Sequence, residues 1–361
     1  HSLIVIMGLV LMIVVHRIPY RYFAIAGHWG MYIAIPLLVI TLAGDTSINE
    51  AKRWIKIPIL NLTFQSSDLA KIVLLVYLAK VIHKKQEILA DFKKGFLPLL
   101  WPVVMVCVLI LPANFSTAAM VFVVSLFMYF IGRVPWKYLG GIILAGVLAM
   151  TLLIAVGKNF PELLPRAGEW SNRITNHFAA DDRDLATKLN DPEFQQLEKA
   201  KTAIATGGFI GKMPGKSIQR HFLPSAYSDF IYAIIIEEYG LILGGFLVLM
   251  IYLILLYRGL RISVKSQTVF GTVLAFGITF SVVLQAFVNM SVAIGIVPVT
   301  GQTLPMISMG GTSIWFTCIS LGMLQSIARG EKDTAPIPEG LESGEAKTEV
   351  ETETIQEEEQ A

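Results

Sequence analysis

The feature that most constrains this chain is a succession of long apolar runs separated by more polar connections. Their bounds are 2–15, 22–44, 67–83, 95–112, 115–131, 139–157, 229–257, 269–294 and 312–328. A helix needs about 20 apolar residues to cross a bilayer, and most of the runs are close to that length. Because a helix satisfies its own backbone hydrogen bonds in lipid, the runs predict an all-α, polytopic integral membrane protein with nine spans.

Charged side chains are scarce and unevenly placed. They make up 16% of the chain, against about 25% in soluble domains, which argues against a cytosolic enzyme, a disordered protein and a nucleic-acid binder. The net charge is +2, but residues 331–361 carry −9, so residues 1–330 carry +11. We therefore predict a membrane domain over residues 1–330 and a disordered, acidic cytoplasmic tail over residues 331–361.

The basic residues also predict which loops face the cytoplasm. Lys and Arg accumulate around residues 17–21, 84–94, 133–137 and 258–265, whereas the loops 112–114 and 295–311 contain none. By the positive-inside rule, the basic loops and the C-terminus are cytoplasmic. The alternate loops then face outward, and the largest of them is an extracytoplasmic loop over residues 158–228. Its ten basic residues do not contradict this, because long loops translocate largely regardless of charge.

The start of the chain has its own pattern. The first apolar run is shorter than a full span, and neither a basic segment nor a small-residue cleavage site precedes it, so it is not typical of a signal peptide. We expect the chain to begin within a span, with an earlier helix missing. Cys107 and Cys318 lie inside apolar runs, which predicts buried thiols rather than a disulfide or a metal site.

Asp229 is the strongest candidate for chemistry, because it lies where the outer loop passes into an apolar run. Two interpretations stay open. The carboxylate can stabilise a helix N-terminus, or it can lie partly desolvated at the mouth of a cavity and act as a general base. Glu237 and Glu238 follow two turns later. Since acids within a span normally face the protein or a watery cavity, at least one of them is expected to face inward.

A second group combines cationic side chains with an acid. Asp68 and Lys71 are three residues apart, so they share a helix face and can pair. Arg53, Lys71 and Arg220 can clamp phosphate groups near the outer leaflet. The alternative is that these long side chains extend to the membrane interface without binding any substrate.

The segment 289–313 is too rich in proline, glycine and hydroxyl residues for a regular span. Irregular backbone at membrane depth is tolerated where it is buried in protein or lines a cavity, so both a plain re-entrant turn and a functional loop fit. Residues 210–217 differ from a nucleotide-binding P-loop because Ile210 stands where the first glycine belongs and no strand precedes it. We reject nucleotide binding.

These groups together resemble the SEDS family of membrane proteins (FtsW, RodA and SpoVE), over residues 3–328. Residues 222–240 are similar to the family element "LPEAHTDFIFA…EELG", residues 65–71 to "QPAELxK" and residues 112–117 to "QPDLGT". Residues 289–313 are similar to the family signature.

The chain departs from the family pattern at four positions. Asp68 replaces Glu, and Asn114 replaces Asp, which puts in doubt any role that needs a charge at residue 114. Gln302 stands where an aliphatic residue is usual, and Met309 where Tyr is common. The Thr303-Leu-Pro sequence favours the division branch of the family over the elongation branch.

The resemblance implies a ten-helix fold, here without its first helix, and a peptidoglycan glycosyltransferase that polymerises lipid II. It implies Asp229 as the catalytic residue, used as a general base in an inverting transfer. The residues predicted to bind substrate are Arg53, Asp68, Lys71, Asn114, Ser116, Thr117, Arg220, Pro224, Ser228, Glu237, Glu238, Asn289, Ser308, Gly310 and Gly311.

The resemblance also implies a setting and partners. These are the bacterial cytoplasmic membrane, lipid II, a class B penicillin-binding protein that acts as transpeptidase, and divisome proteins. No cofactor is assigned; a divalent cation, Mg or Mn, is an option for neutralising the leaving pyrophosphate, and its ligands are unknown. Nucleic acid is not expected as a partner.

Three other functions are also compatible with the sequence. An elongation-type polymerase performs the same chemistry, a lipid II flippase or other transporter fits the many spans, and a non-catalytic division scaffold needs no catalytic acid. A transporter predicts polar groups distributed through the membrane thickness. The acids gather instead at the predicted outer face, which favours chemistry there.

Overall fold

The computed structural model describes residues 2–43, 54–57, 62–159, 168 and 191–330. Each predicted apolar run contains helix within these residues. Two strands, β1 (Trp54–Ile57) and β2 (Leu62–Gln65), pair antiparallel. The helices are α1 (Ser2–Arg17), α2 (Arg21–Ala43), α3 (Ser66–Lys84), α4 (Leu97–Ile110), α5 (Phe115–Ile131), α6 (Trp136–Asn159), α7 (Pro192–Gly207), α8 (Ile231–Gly240), α9 (Leu247–Lys265), α10 (Val269–Ala293) and α11 (Thr312–Arg329).

The helices have the composition of a multi-pass membrane protein, as predicted. Five stretches of the described residues are long and apolar enough to cross a membrane, and α1 and α5 are shorter apolar helices. The five are Arg21–Ala43, Phe92–Ile110, Trp136–Ala155, Ile231–Lys265 and Val269–Ala293. The small β1–β2 hairpin was not predicted from the sequence.

The core of the membrane body lies around α3 and α10. Most of α10 is buried, and it packs against α3, α5, α9 and α11. The approach of α9 is close because Gly259 has no side chain: a Cβ atom there would lie 2.1 Å from Oγ1 of Thr279. Small residues allow such close contacts between membrane helices.

The apolar run 229–257 belongs to one candidate span, Ile231–Lys265, but it is not one continuous helix. It divides into α8 and α9 at Gly240, whose φ is +78°, and a π-helical turn (Leu241–Phe246) joins the two. Only glycine adopts this backbone region without strain. The break separates a short helix beside the outer loop from a long apolar helix.

The described part of the outer loop packs onto α8. Helix α7 begins at Pro192, and the Asp191 carboxylate caps it by accepting from the backbone N–H groups of Glu193 and Phe194 at 3.0 and 3.4 Å. Helix α7 then packs against α8. Arg53 and the acidic segment 331–361 lie outside the described residues, so the predictions made for them stay predictions.

Candidate active site

Asp229 lies in a tight turn immediately before α8. The backbone N–H groups of Ser228 and Asp229 both donate to the carbonyl of Ser225, at 2.9 and 3.1 Å, and Ser225 has a left-handed φ of +58°. The N-cap position of α8 belongs to Phe230, so Asp229 precedes the cap. The hydroxyl of Ser228 donates to Oδ1 of Asp229 at 2.8 Å, and the carboxylate is partly buried.

The turn is held by three consecutive backbone carbonyls. That of Tyr227 accepts from the N–H of Met309 at 2.8 Å. That of Ser228 accepts from the hydroxyl of Ser308 at 2.6 Å, and that of Asp229 from Nδ2 of Asn289 at 2.8 Å. Donors far away in sequence therefore fix the backbone that carries the candidate carboxylate.

The two side-chain donors are buried and make further hydrogen bonds. Asn289 and Ser308 are each 1% exposed. Asn289 also donates to the carbonyl of Gln302 at 2.7 Å, and the hydroxyl of Ser308 accepts from the N–H of Leu304 at 2.7 Å. Burial makes each of these bonds costly to lose, because the carbonyls and amides cannot then turn to water. The segment 298–311 thus supports the Asp229 turn through buried hydrogen bonds.

The N-terminus of α5 is also hydrogen-bonded to the 298–311 segment. Asn114 caps this helix, and its Oδ1 accepts from the N–H of Thr117 at 3.2 Å. Nε2 of Gln302 donates to the Thr117 hydroxyl at 3.0 Å. Two of the departures from the family pattern, Asn114 and Gln302, therefore meet at one threonine. A neutral Asn is sufficient for the capping geometry. Ser116 lies in the first turn of this helix.

Asp68 and Lys71 form a second polar group inside the helix bundle. Nζ of Lys71 lies 3.8 Å from Oδ1 of Asp68, as their spacing predicted, and donates to Oε1 of Gln285 at 2.8 Å. Gln285 in turn donates to the carbonyl of Thr303 at 2.9 Å. This group and the Asp229 turn therefore attach to neighbouring residues of the 298–311 segment. The cavity beside Asp68 is also lined by the hydroxyls of Ser281, Ser313, Thr317 and Ser320.

Glu237 faces inward, as predicted for at least one of the two glutamates. It is 0% exposed, and its carboxylate pairs with Nζ of Lys212 at 2.8 Å. It also accepts from the Ser217 hydroxyl and from the backbone N–H groups of Ile218 and Gln219. A carboxylate so enclosed holds the 212–219 segment onto α8, so the expectation of direct substrate contact gives way to a positioning role.

The other predicted residues occupy different surroundings. Nη1 of Arg220 lies 3.9 Å from the Glu238 carboxylate, so the two partly exposed charges pair. Pro224 is exposed in the loop before Ser225. Gly310 and Gly311 lie in the turn that starts α11, with Gly311 at φ +55°.

Gln285, Thr303, Lys212 and Ser217 were not predicted from the sequence. Gln285 carried a usable signal, since it is an uncharged polar residue within an apolar run. The described residues contain no group of three His, Cys, Asp or Glu side chains placed to hold a metal ion.

The fold and the site define a class: a multi-pass membrane protein in which the turn that carries a carboxylate is held by hydrogen bonds from a partly buried, irregular segment. The sequence profile of the FtsW/RodA/SpoVE family, described as cell cycle proteins, matches residues 1–333. The chain belongs to this family.

Similar sequences and solved structures support this family assignment. The chain is 32% identical to the probable peptidoglycan glycosyltransferase FtsW of Geobacter metallireducens, over 91% of this chain and 84% of that protein. It superposes with a TM-score of 0.72 and 26% identity on a chain from a peptidoglycan synthase complex that coordinates polymerization and crosslinking, covering 91% and 88% of the two chains. The rod shape determining protein RodA of Thermus thermophilus has the same fold, with a TM-score of 0.64, 23% identity and coverage of 91% and 86%.

Proposed function

We propose that this chain is a peptidoglycan glycosyltransferase that polymerises lipid II into β-1,4-linked glycan strands at the outer face of the cytoplasmic membrane. The observation that carries the proposal is the Asp229 turn, whose three carbonyls accept hydrogen bonds from Met309 and from the buried side chains of Ser308 and Asn289. Membership of a family whose members are named peptidoglycan glycosyltransferases supports the reaction class. A carboxylate held this firmly can be kept in position against a reacting hydroxyl.

In the proposed reaction, the 4-hydroxyl of the acceptor GlcNAc attacks the anomeric carbon of the donor MurNAc. Asp229 accepts the hydroxyl proton as the new C–O bond forms and the bond to the lipid pyrophosphate breaks. Attack on the face opposite the leaving group converts the α-linked donor into a β-1,4 linkage without a covalent enzyme intermediate. Asn289 and Ser308 act by positioning the Asp229 backbone.

The leaving pyrophosphate carries the negative charge that develops in this step. Lys71 is proposed to neutralise it together with Arg53, and Arg220 to contact the substrate near the Asp229 turn. Lys71 is suited to this because the amide of Gln285 and the Asp68 carboxylate orient its ammonium group. Asp68, Asn114, Ser116, Thr117, Pro224, Ser228, Glu238, Gly310 and Gly311 are proposed to shape the rest of the substrate site. No step depends on a cation.

The biological setting is part of the same proposal. We place the chain in the bacterial inner membrane with a cytoplasmic C-terminus, on the distribution of Lys and Arg described above. Septal synthesis with a class B penicillin-binding protein and other divisome proteins is proposed from the similarity to FtsW. An elongation-type role would use the same site with a different transpeptidase.

A lipid II flippase is the second candidate function, and one observation favours it. Oδ2 of Asp68 is buried without a hydrogen-bond partner among the described residues, in a hydroxyl-lined cavity between α3, α10 and α11. Ionisable groups within a helix bundle often mark a transport pathway.

The deciding experiment uses purified protein in liposomes with lipid II, with and without a class B transpeptidase. Asp229→Asn and Asp229→Ala are expected to lower the rate of glycan polymerisation by about 10²–10⁴-fold, the usual contribution of a general base. Asp91→Asn, which changes a carboxylate outside the site, is expected to polymerise at the wild-type rate.

Two results would contradict the proposal in different ways. Wild-type rates from folded Asp229 variants would remove Asp229 as the base while leaving the reaction class intact. Wild-type protein that translocates labelled lipid II but makes no glycan, even with the transpeptidase, would replace the polymerase with the flippase.

A further inference from the structure

A cluster of large apolar side chains protrudes from the outer loop between α7 and α8. Phe209 is 70% exposed, Ile210 is 86% exposed and Met213 is 62% exposed. They belong to the segment 208–213, which plays no part in the chemistry proposed above. Exposed apolar side chains grouped in this way normally mark contact with another apolar phase.

The 208–213 segment is fixed rather than loosely attached. The carbonyl of Gly208 accepts from the N–H of Leu241 at 2.8 Å, and the N–H groups of Lys212 and Met213 donate to the carbonyls of Glu237 and Glu238, each at 2.9 Å. The segment therefore lies along the end of α8, and its apolar side chains point outward from a defined backbone.

Two glycines permit this contact. Gly211 and Gly240 have φ values of +88° and +78°. A Cβ atom on Gly211 would lie 2.4 Å from the carbonyl oxygen of Glu238, and one on Gly240 would lie 2.3 Å from that of Phe209. The two backbones touch directly at the break between α8 and α9.

The position of the break along the span gives the depth of the segment. Arg258, Arg261 and Lys265 lie in the last turns of α9, at the predicted cytoplasmic side. From Arg258 or Arg261 back to Leu241 is about 17–20 residues, or about 25–30 Å of helix, which is close to the hydrocarbon thickness of a bilayer. Leu241, and with it the bonded Gly208, therefore lies at the outer boundary of the hydrocarbon layer.

The protruding side chains continue the lipid-facing surface of the membrane helix. Leu243, Phe246 and Leu247, just beyond the break, are 61%, 58% and 49% exposed, as expected for side chains that face acyl chains. Phe209 and Ile210 lie at the upper end of this surface. Lys216, three residues after Met213, is exposed, and its ammonium can reach lipid phosphates.

We infer that the 208–213 segment is an interfacial anchor that inserts Phe209, Ile210 and Met213 into the outer leaflet of the lipid bilayer. Aromatic and aliphatic side chains at the hydrocarbon boundary, with a lysine beside them, are the pattern that stabilises such insertion. Because α8 connects the anchor to the Asp229 turn, insertion fixes the height of that turn relative to the lipid head groups. The anchor is independent of whether Asp229 is the catalytic base.

Spin-label accessibility tests the anchor directly. Cys107 and Cys318 are replaced by Ala, and a nitroxide is placed at Ile210→Cys in protein reconstituted into phosphatidylethanolamine–phosphatidylglycerol nanodiscs. Leu243→Cys reports a lipid-facing position, and Thr202→Cys an exposed polar position on α7. The label at 210 is expected to resemble that at 243, with high accessibility to oxygen and low accessibility to a water-soluble nickel complex, opposite to the label at 202. Met213→Cys provides a second label with the same expectation.

The inference fails if the labels at 210 and 213 behave as the label at 202 does. It also fails if they are water-accessible in the nanodiscs and become shielded only when a class B transpeptidase is added, since the segment would then bind protein rather than lipid. Neither outcome bears on polymerisation, so the anchor and the proposed function can fail separately.

Discussion

Asn289 donates both to the backbone carbonyl of Asp229, at 2.8 Å, and to that of Gln302, at 2.7 Å. One buried amide thus joins the turn that carries the candidate base to the segment that supports it. Asn289 and Asp229 are 60 positions apart in the chain. The position of the Asp229 backbone therefore depends on how α10 is seated in the bundle.

Asn289→Ala is expected to lower kcat with little change in KM. The substitution leaves two carbonyls without this donor and lets the Asp229 backbone shift. Because misplacing a catalytic group by about 1 Å can lower the rate by about 10²-fold, polymerisation is expected to slow by about tenfold or more. The measurement is steady-state kinetics on lipid II in proteoliposomes.

Ser125→Ala is the matched control for that variant. Ser125 is also 1% exposed, and its hydroxyl donates to the Val121 carbonyl within α5, a group that keeps its own helical partner. Equal losses of kcat in the two variants would mean that Asn289 acts through general stability rather than through Asp229.

The helices were predictable because long apolar runs leave few alternatives in lipid. The place of Asp229 just before a helix was predictable because Asp229 begins one of these runs. The hydrogen bonds that hold the Asp229 turn were not predictable. Ser308, Met309 and Asn289 reach the 227–229 carbonyls through tertiary packing. One of the three donors, the N–H of Met309, and all three acceptors are backbone groups, which carry no sequence signal. The break at Gly240 was missed because it depends on the close approach of a distant segment, whose Phe209 carbonyl lies against Gly240.

The ion pair between Lys212 and Glu237 is expected to contribute strongly to stability. Lys212→Met leaves the fully buried Glu237 carboxylate without its counter-charge, and breaking such a pair costs about 3–5 kcal/mol. The remaining bonds from Ser217 and two backbone amides place the expected loss at about 3 kcal/mol, the lower end of that range. Thermal unfolding in detergent measures it.

Lys201→Met supplies the control, because Lys201 pairs with Glu198 at 3.1 Å while both side chains are nearly half exposed. Exposed pairs contribute about 0–1 kcal/mol, so its melting temperature is expected to stay close to that of the wild type. Similar shifts in the two variants would show that burial does not set the strength of the Lys212 pair.

Asp91 is expected to make stability depend on pH. Its carboxylate accepts from the backbone N–H groups of Lys94 and Lys93, at 3.0 and 2.8 Å, and these bonds, the one from Lys94 foremost, hold its pKa below the ordinary value of 3.8. A lowered folded-state pKa stabilises the protein above the ordinary value, and the benefit is lost as pH falls through the folded pKa.

Asp91→Asn keeps an oxygen that can accept from the N–H groups of Lys93 and Lys94 and removes the negative charge. The variant is expected to melt below the wild type near neutral pH, and the difference is expected to disappear as the pH falls below 3.8. Melting curves recorded across this range check the sign. A difference that persists unchanged into acid would mean that the charge contributes nothing.

Gly240→Ala is expected to destabilise the junction of α8 and α9, whereas Gly140→Ala is not. A Cβ atom at residue 240 meets the Phe209 carbonyl oxygen at 2.3 Å, on a backbone with φ +78°, while one at residue 140 meets nothing within 4 Å. A left-handed non-glycine residue costs about 1–3 kcal/mol, and the collision adds to that. In α6 the same change gains up to about 1 kcal/mol of helix propensity. Paired melting temperatures decide the point: if the two alanines shift them equally, the contact between the 208–213 segment and Gly240 is not a stabilising one.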